Sequence, residues 1–199
     1  KNSFRLGVQK NIICENSKKN DLDNKFNLIY KNLNRYSYNF LKLINLKYIV
    51  LCENLSISGI NTAGIPDNIM KTLILDIKFN QKYFERVIHH EVFHIINDQH
   101  KEHFNEDEWK RFNDLKFEYA ECSTCTEKLG LDMYKKTKGF FTEYSKSTAS
   151  EDMAEVYSHM IYLNPEKINR IRKLDKILNK KISYIENKIK KIDKFFLFL

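Results

Sequence analysis

Apolar residues at helical spacing predict most of the regular structure in this chain. The predicted helices span residues 22–43, 81–98, 105–121, 149–163 and 167–194. Asp21 and Asn105 stand at the N-cap position of two of them, and Asn164-Pro165 ends a third. In the last helix the apolar residues alternate between three- and four-residue spacing, which is a heptad-like stripe.

Two short apolar segments predict strands. Residues 46–52 are apolar and partly β-branched, and residues 72–79 alternate in character. Gly and Pro residues predict a loop over 59–66, whereas residues 1–20 show little periodicity and residues 122–147 are expected to be irregular. This order of elements predicts a helix-rich α+β fold with a small sheet and a long C-terminal helix.

The net charge of +8 is concentrated at the C-terminal end of the chain. Residues 166–199 contain 11 Lys and Arg residues against 4 Asp and Glu residues, so residues 1–165 are nearly neutral. We therefore expect a body over residues 1–165 and a basic amphipathic helix over 166–199. This helix could pack its apolar stripe on the body, self-associate as a coiled coil, or bind an acidic surface. An ordinary helix with a solvated charged face is favoured.

The composition excludes several classes of protein. Hydrophobic residues make up 42% of the chain and aromatic residues 13%, which is enough for a core and argues against disorder. No run of about 18 apolar residues occurs, so no transmembrane helix is predicted. Gly-rich phosphate loops and interleaved aromatic base readers are also absent, which argues against nucleic-acid binding.

Four cysteines are too few for a disulfide scaffold. We expect Cys14 and Cys52 to be unpaired, and the Cys122-x-x-Cys125 pair lacks the second pair that a zinc ribbon requires. These features predict a soluble protein that works in a reducing, cytosol-like compartment. For a secreted or translocated protein, that compartment could be the cytosol of a host cell.

The segment His90-Glu91-Val92-Phe93-His94 matches the H-E-x-x-H motif on a predicted helix. The i, i+4 spacing places both imidazoles on one helix face, within reach of a single ion. Zinc suits two imidazoles and a carboxylate, and it leaves a position for a water molecule from which Glu91 can accept a proton. The alternative is a structural helix with two ordinary histidines, but the apolar surroundings of the motif favour the metal.

A third ligand is needed. Four residues shortly after the motif carry suitable atoms: Asp98, His100, Glu102 and His103. The metzincin pattern does not apply, because Asn97 stands where it requires glycine. Glu151 is the better candidate, since Glu155 shares its helix face and could accept an N–H from a ligand imidazole while Glu151 binds the ion. Two solvated glutamates on a surface helix are the alternative interpretation.

The segment from Tyr144 to Glu155 resembles the Y-x6-E-x-x-A-E segment of gluzincin peptidases related to the catalytic domain of anthrax lethal factor. Gly139-Phe140 precede it, as in a set of bacterial zinc-binding metallopeptidases. The resemblance covers residues 72–163 in its order of elements, and it implies a zincin-like metallopeptidase fold with an active-site helix in a catalytic domain over residues 1–165.

The resemblance also implies a role for each matching residue. His90 and His94 would be zinc ligands, Glu151 the third ligand, and Glu91 the general base. Tyr144 would donate a hydrogen bond to the developing oxyanion. Glu155 would orient one of the ligand histidines.

The HHEVFH segment, in a chain rich in Lys, Asn and Ile, also resembles the actin-cleaving bacterial effector protease RavK, which implies host actin as a protein substrate. The sequence therefore predicts a zinc-dependent endopeptidase, with the substrate added to an exposed edge strand at residues 72–79. Two alternatives stay open: a non-enzymatic binding module that uses the basic helix, and a metal hydrolase that acts on a non-peptide bond.

Overall fold

The computed structural model describes residues 2–5, 11–79, 81–124 and 130–198. The chain divides into two compact units, Lys1–Gln99 and His100–Leu199, a boundary that differs from the one predicted at residue 165. The fold is α+β and helix-rich with a small mixed sheet, as the sequence predicted. In the described part of the chain, no helix is both long and apolar enough to span a bilayer.

The described residues of the first unit form a six-stranded sheet. Its strands are β1 (Asn2–Arg5), β2 (Asn11–Glu15), β3 (Tyr48–Ile57), β4 (Ile60–Asn61), β5 (Gly64–Asp67) and β6 (Thr72–Asp76). Their order is β1-β2-β3-β6-β5, with β4 paired to β3. The β3–β6 pair is parallel and the other pairs are antiparallel.

Three helices belong to the first unit and four to the second, counted over the described residues. The first unit has α1 (Lys19–Leu33), α2 (Tyr38–Leu43) and α3 (Phe84–Gln99). The second has α4 (Glu106–Lys110), α5 (Ala149–Tyr162), α6 (Pro165–Leu174) and α7 (Lys176–Ile192), with 3-10 turns at Lys101–His103 and Tyr144–Lys146.

Local side-chain caps divide two helices that were predicted as single. The helix expected over 22–43 is α1 followed by α2, because the Ser37 hydroxyl accepts the Phe40 N–H and starts a new helix. The helix expected over 167–194 is divided at Asp175, whose carboxylate accepts the N–H groups of Ile177 and Leu178 and caps α7. The C-terminal region therefore contains a long helix, α7, as predicted, but the expectation of one continuous helix over 167–194 is wrong.

The helix predicted over 105–121 is also wrong beyond its first turns. Asn105 caps it as expected, by accepting the Glu108 N–H, but α4 ends at Lys110. The Asp114 carboxylate then accepts the Lys116 N–H, and this turn competes with helix continuation.

The sheet is larger than the sequence predicted. Strands β1 and β2 lie in the segment that shows little periodicity, and β5 lies in the predicted loop. The strand expected over 72–79 ends at Asp76, because that carboxylate accepts the N–H groups of Lys78 and Phe79 and turns the chain. The predicted position of this strand at an edge is wrong as well: β6 lies between β3 and β5, and all five of its residues are buried.

The core of the sheet contains a disulfide that the sequence analysis did not anticipate. Cys14 on β2 and Cys52 on β3 are bonded, with their Cα atoms 5.4 Å apart. They pack among the apolar side chains of the same cluster: Ile12, Leu55, Ile65 and Ile74. The prediction that these cysteines are unpaired is wrong, so the expectation of a reducing compartment loses its main support. Cys125 lies outside the described residues.

The second unit is built around α5 and α7, which are in contact. The apolar stripe of α7 is fully buried, at Leu178, Ile182, Ile185 and Ile189. The stripe therefore packs within the unit, which is one of the three arrangements that the sequence left open. Near the C-terminal end, Phe196 is buried and the Phe198 ring lies edge-on to Tyr157.

A buried ion pair joins the same two helices. Lys181 Nζ of α7 lies 2.6 Å from Asp152 Oδ2 of α5 and donates to the Gly139 carbonyl at 2.7 Å; both charged side chains are fully buried. The same carboxylate oxygen accepts the Trp109 indole N–H and the Tyr119 hydroxyl. Burial raises the pKa of Asp152 and lowers that of Lys181, while the opposite charge of each partner opposes these shifts.

Candidate metal centre

Helix α3 carries the H-E-x-x-H motif and packs on β5, β6 and α1. Its apolar residues are buried, at Ile88, Val92, Phe93, Ile95 and Ile96. His90 and Glu91 are only 6% and 8% exposed, and His94 is half-buried. Burying a carboxylate beside two imidazoles is costly unless they share a function or strong partners, so this turn of α3 is a candidate functional site.

The two motif histidines converge as a zinc site requires. His90 Nε2 and His94 Nε2 lie 3.2 Å apart, and their rings are oriented edge to face. Two nitrogen ligands at tetrahedral positions around zinc are separated by about 3.3 Å, given Zn–N bonds of about 2.0–2.1 Å. The pair therefore fits zinc with almost no movement of either ring.

Glu91 lies against the backbone of strand β5. A Cβ atom placed on Gly64 would come within 2.5 Å of Glu91 Cγ, so only glycine fits at this position while Glu91 keeps its place. This close approach puts the carboxylate side chain beside the edge strand of the sheet. From its sequence Gly64 was expected only in a loop, because a close approach between a strand and a helix leaves no local signal.

His89 has a structural role. Its Nδ1 lies 2.6 Å from the Tyr36 hydroxyl and its Nε2 lies 3.0 Å from Asn32 Oδ1. Because the amide oxygen can only accept, Nε2 carries the proton and Nδ1 accepts the Tyr36 hydroxyl. Burial, with a smaller contribution from the nearby charge of Arg35, lowers the pKa of His89 to about 3 and keeps it neutral. His89 thus joins α3 to α1.

Helix α5 carries Glu151 and Glu155, one turn apart as predicted. The Thr148 hydroxyl accepts the Glu151 N–H, so Thr148 is the N-cap and Glu151 lies in the first turn, half-buried. Glu155 is only 1% exposed, and its Oε2 accepts the Thr142 hydroxyl at 2.7 Å. Thr142 in turn contacts Ser145 Oγ at 3.1 Å, which fixes the orientation of its own hydroxyl.

The role of Thr142 has no signal in the sequence, because a hydroxyl thirteen residues before its partner belongs to no helical or strand pattern. Tyr144 lies between Thr142 and Glu155 in the chain. It belongs to the 3-10 turn and is half-buried, and its carbonyl accepts the Ser147 hydroxyl.

The His159 ring stacks on Phe141, with centroids 4.3 Å apart, and its Nδ1 lies 2.7 Å from the Glu155 carbonyl oxygen. Its surroundings are those of a packing residue.

The predicted site residues fall into two groups, one in each unit. The first unit brings His90, Glu91 and His94 together on α3, and the second brings Tyr144, Glu151 and Glu155 together on the 3-10 turn and α5. The role of Glu151 as third ligand stays a prediction.

The comparison with protein families agrees with a zinc site. A family model described as "Putative zinc-binding metallo-peptidase" matches residues 21–197. Among solved structures, the chain is similar to a putative zinc-binding metallo-peptidase from Bacteroides caccae, with a TM-score of 0.45 and 19% identity over 88% of this chain and 69% of that chain. A search of the curated proteins gives no match.

Proposed function

Because the chain belongs to the family of putative zinc-binding metallo-peptidases, we propose that it is a zinc-dependent endopeptidase of the gluzincin type. The observation that carries this proposal is the geometry of the motif on α3. Its two imidazole nitrogens are 3.2 Å apart, and its glutamate is buried against an edge strand. A helix with only a structural role would not require two converging imidazoles beside a buried glutamate.

In this proposal His90 and His94 hold the zinc ion, and Glu151 supplies the third ligand. Two features support Glu151: the match to the gluzincin segment, and its half-buried place in a first turn that the Thr148 cap fixes. When bound, zinc supplies a Lewis acid and lowers the pKa of a water molecule to about 7. Glu155, which the Thr142 hydroxyl fixes, is proposed to orient a ligand imidazole.

Glu91 moves the proton in the proposed reaction. Its carboxylate takes a proton from the attacking water while the water oxygen bonds to the scissile carbonyl carbon. It then delivers that proton to the amine nitrogen as the C–N bond breaks. The Tyr144 hydroxyl donates a hydrogen bond to the carbonyl oxygen as negative charge develops there.

Strand β5 is the proposed platform for the substrate peptide, in place of β6. It is the edge of the described sheet beside α3. The Asp76 N–H donates to the Ala63 carbonyl. Along an antiparallel strand, residues point their backbone N–H and C=O groups alternately toward and away from the partner strand, so those of Gly64 and Pro66 point away from β6. Proline is tolerated at position 66 because the N–H that it lacks would not have donated to β6. A peptide added there by strand pairing would pass Glu91, which lies against Gly64.

Digestion of a peptide library with and without a zinc chelator tests this proposal. We expect the full chain, loaded with zinc, to cut peptides at internal bonds, to lose this activity on chelation and to regain it when zinc is restored. Actin, the substrate implied by the resemblance to RavK, is included as a purified protein, and new termini are mapped by mass spectrometry. Zinc binding without peptide cleavage would favour hydrolysis of a non-peptide bond, and absence of zinc binding would favour a non-enzymatic module.

Replacing Glu151 with alanine is expected to weaken zinc binding by more than about 100-fold, because the loss of a residue that only supports a ligand already costs about 10–100-fold. The measurement is a competition titration against a zinc indicator. Glu166→Ala is the matched control, since Glu166 is an exposed glutamate in the first turn of α6. Unchanged zinc affinity in the Glu151 variant would assign the third ligand to another residue, with His103 the next candidate.

A further inference from the structure

The second unit begins with a compact group of metal-ligating side chains that the proposed peptidase site does not use. His100, Glu102 and His103 each place one ligand atom within 4.8 Å of the others. The three lie in and next to the 3-10 turn Lys101–His103, which the hydrogen bond from the His103 N–H to the His100 carbonyl closes at 2.9 Å. The two imidazole rings are stacked nearly parallel, with centroids 6.1 Å apart.

The distances within this group are close to those between ligands of one ion. Glu102 Oε1 lies 3.7 Å from His100 Nδ1 and 3.7 Å from His103 Nε2. Ligand atoms at tetrahedral positions around zinc are separated by about 3.4 Å, given bonds of about 2.0–2.2 Å. Because all three ligand atoms lie within 4.8 Å of one another, small rotations of these side chains would bring both imidazoles and the carboxylate around a single cation.

We propose that His100, Glu102 and His103 form a second metal site, which takes zinc or another divalent transition metal. Two imidazoles and one carboxylate select such metals over Mg²⁺ and Ca²⁺, which prefer oxygen ligands alone. The side chains are 20%, 65% and 28% exposed, so an ion bound here keeps water on its remaining positions. For the same reason we expect binding to be weaker than at the buried histidine pair of α3.

Counting the metal ions bound by the full chain tests this inference. Calorimetric titration with zinc alone is expected to show two equivalents in the wild type. In a variant that carries His100→Ala and His103→Ala, we expect only the more tightly bound equivalent of zinc to remain. Lys101→Ala, a change in the same turn that removes no ligand, is the control and should keep two. His90→Ala combined with His94→Ala should lose the tighter equivalent and keep the weaker, whatever the fate of peptidase activity.

The result separates this site from the proposed peptidase centre. Nickel, titrated into the His90/His94 variant, should bind at one equivalent, and adding His103→Ala should weaken that binding at least tenfold. Two zinc equivalents of unchanged affinity in the His100/His103 variant would overturn the inference. It would also be overturned if His103→Ala removed the tighter equivalent, because His103 would then belong to the site of His90 and His94.

Discussion

Glu91→Gln is expected to lower kcat/KM for peptide cleavage by about 10²–10⁴-fold, the usual contribution of a general base, without releasing zinc. The amide cannot accept a proton from water at neutral pH. It has nearly the volume of the carboxylate, so it still fits against Gly64, where a Cβ would already come within 2.5 Å of Glu91 Cγ. Steady-state kinetics and metal analysis on the same preparation measure both effects.

The control for this variant is Glu85→Gln, which is the same substitution in the first turn of α3. Glu85 accepts a hydrogen bond from the Asn32 amide at 2.8 Å, and glutamine keeps an acceptor oxygen there. We expect this variant to cleave at the wild-type rate. A Glu91 variant that also cleaved at that rate would show that another group is the base, and one that lost zinc would assign Glu91 to the ligands.

Lys181→Met is expected to lower the free energy of unfolding by about 3–5 kcal/mol, the usual cost of removing one partner from a buried ion pair. The side chains of Lys181 and Asp152 are both fully buried and lie 2.6 Å apart, so methionine would leave the carboxylate without its cation. Urea unfolding followed by tryptophan fluorescence reports the change directly, because Trp109 donates to the same carboxylate oxygen.

Two further variants make this prediction specific to the ion pair. Adding Asp152→Asn to Lys181→Met should restore much of the lost stability. Asparagine removes the unpaired charge, and its side-chain oxygen can still accept from Trp109 and Tyr119. Lys180→Met, at the exposed position immediately before Lys181, should change the free energy of unfolding by no more than about 0.5 kcal/mol. A loss below about 1 kcal/mol in Lys181→Met alone would mean that water or another group replaces the cation.

Local patterns were sufficient to predict the two helices that carry the candidate site. The helix expected over 81–98 is observed at Phe84–Gln99, and the helix expected over 149–163 is observed at Ala149–Tyr162. Both have clear periodicity over several turns, and the second has a cap and a proline stop within a few residues. The spacing of His90 and His94 then determined that both imidazoles share one face of α3.

Patterns that depend on partners distant in sequence were missed or mistaken. Strands β2 and β5 are four or five residues long and lack a pattern of their own, since their burial comes from neighbours in the sheet. The disulfide joins cysteines 38 residues apart, and spacing alone did not reveal that β2 and β3 are neighbours. The basic residue Lys181 looked solvated by its place in a lysine-rich segment, yet it is buried against Asp152.

The order of residues along the chain by itself determined the identity and helical placement of the motif groups, because a helix relates residues three and four positions apart through backbone geometry alone. Only the tertiary structure decided which strand lies at the sheet edge beside Glu91, that Thr142 holds Glu155, and that a lysine is buried in the second unit. Those arrangements depend on contacts between segments far apart in the chain. Their free energy comes from packing and from the pairing of buried polar groups, and no local pattern records them.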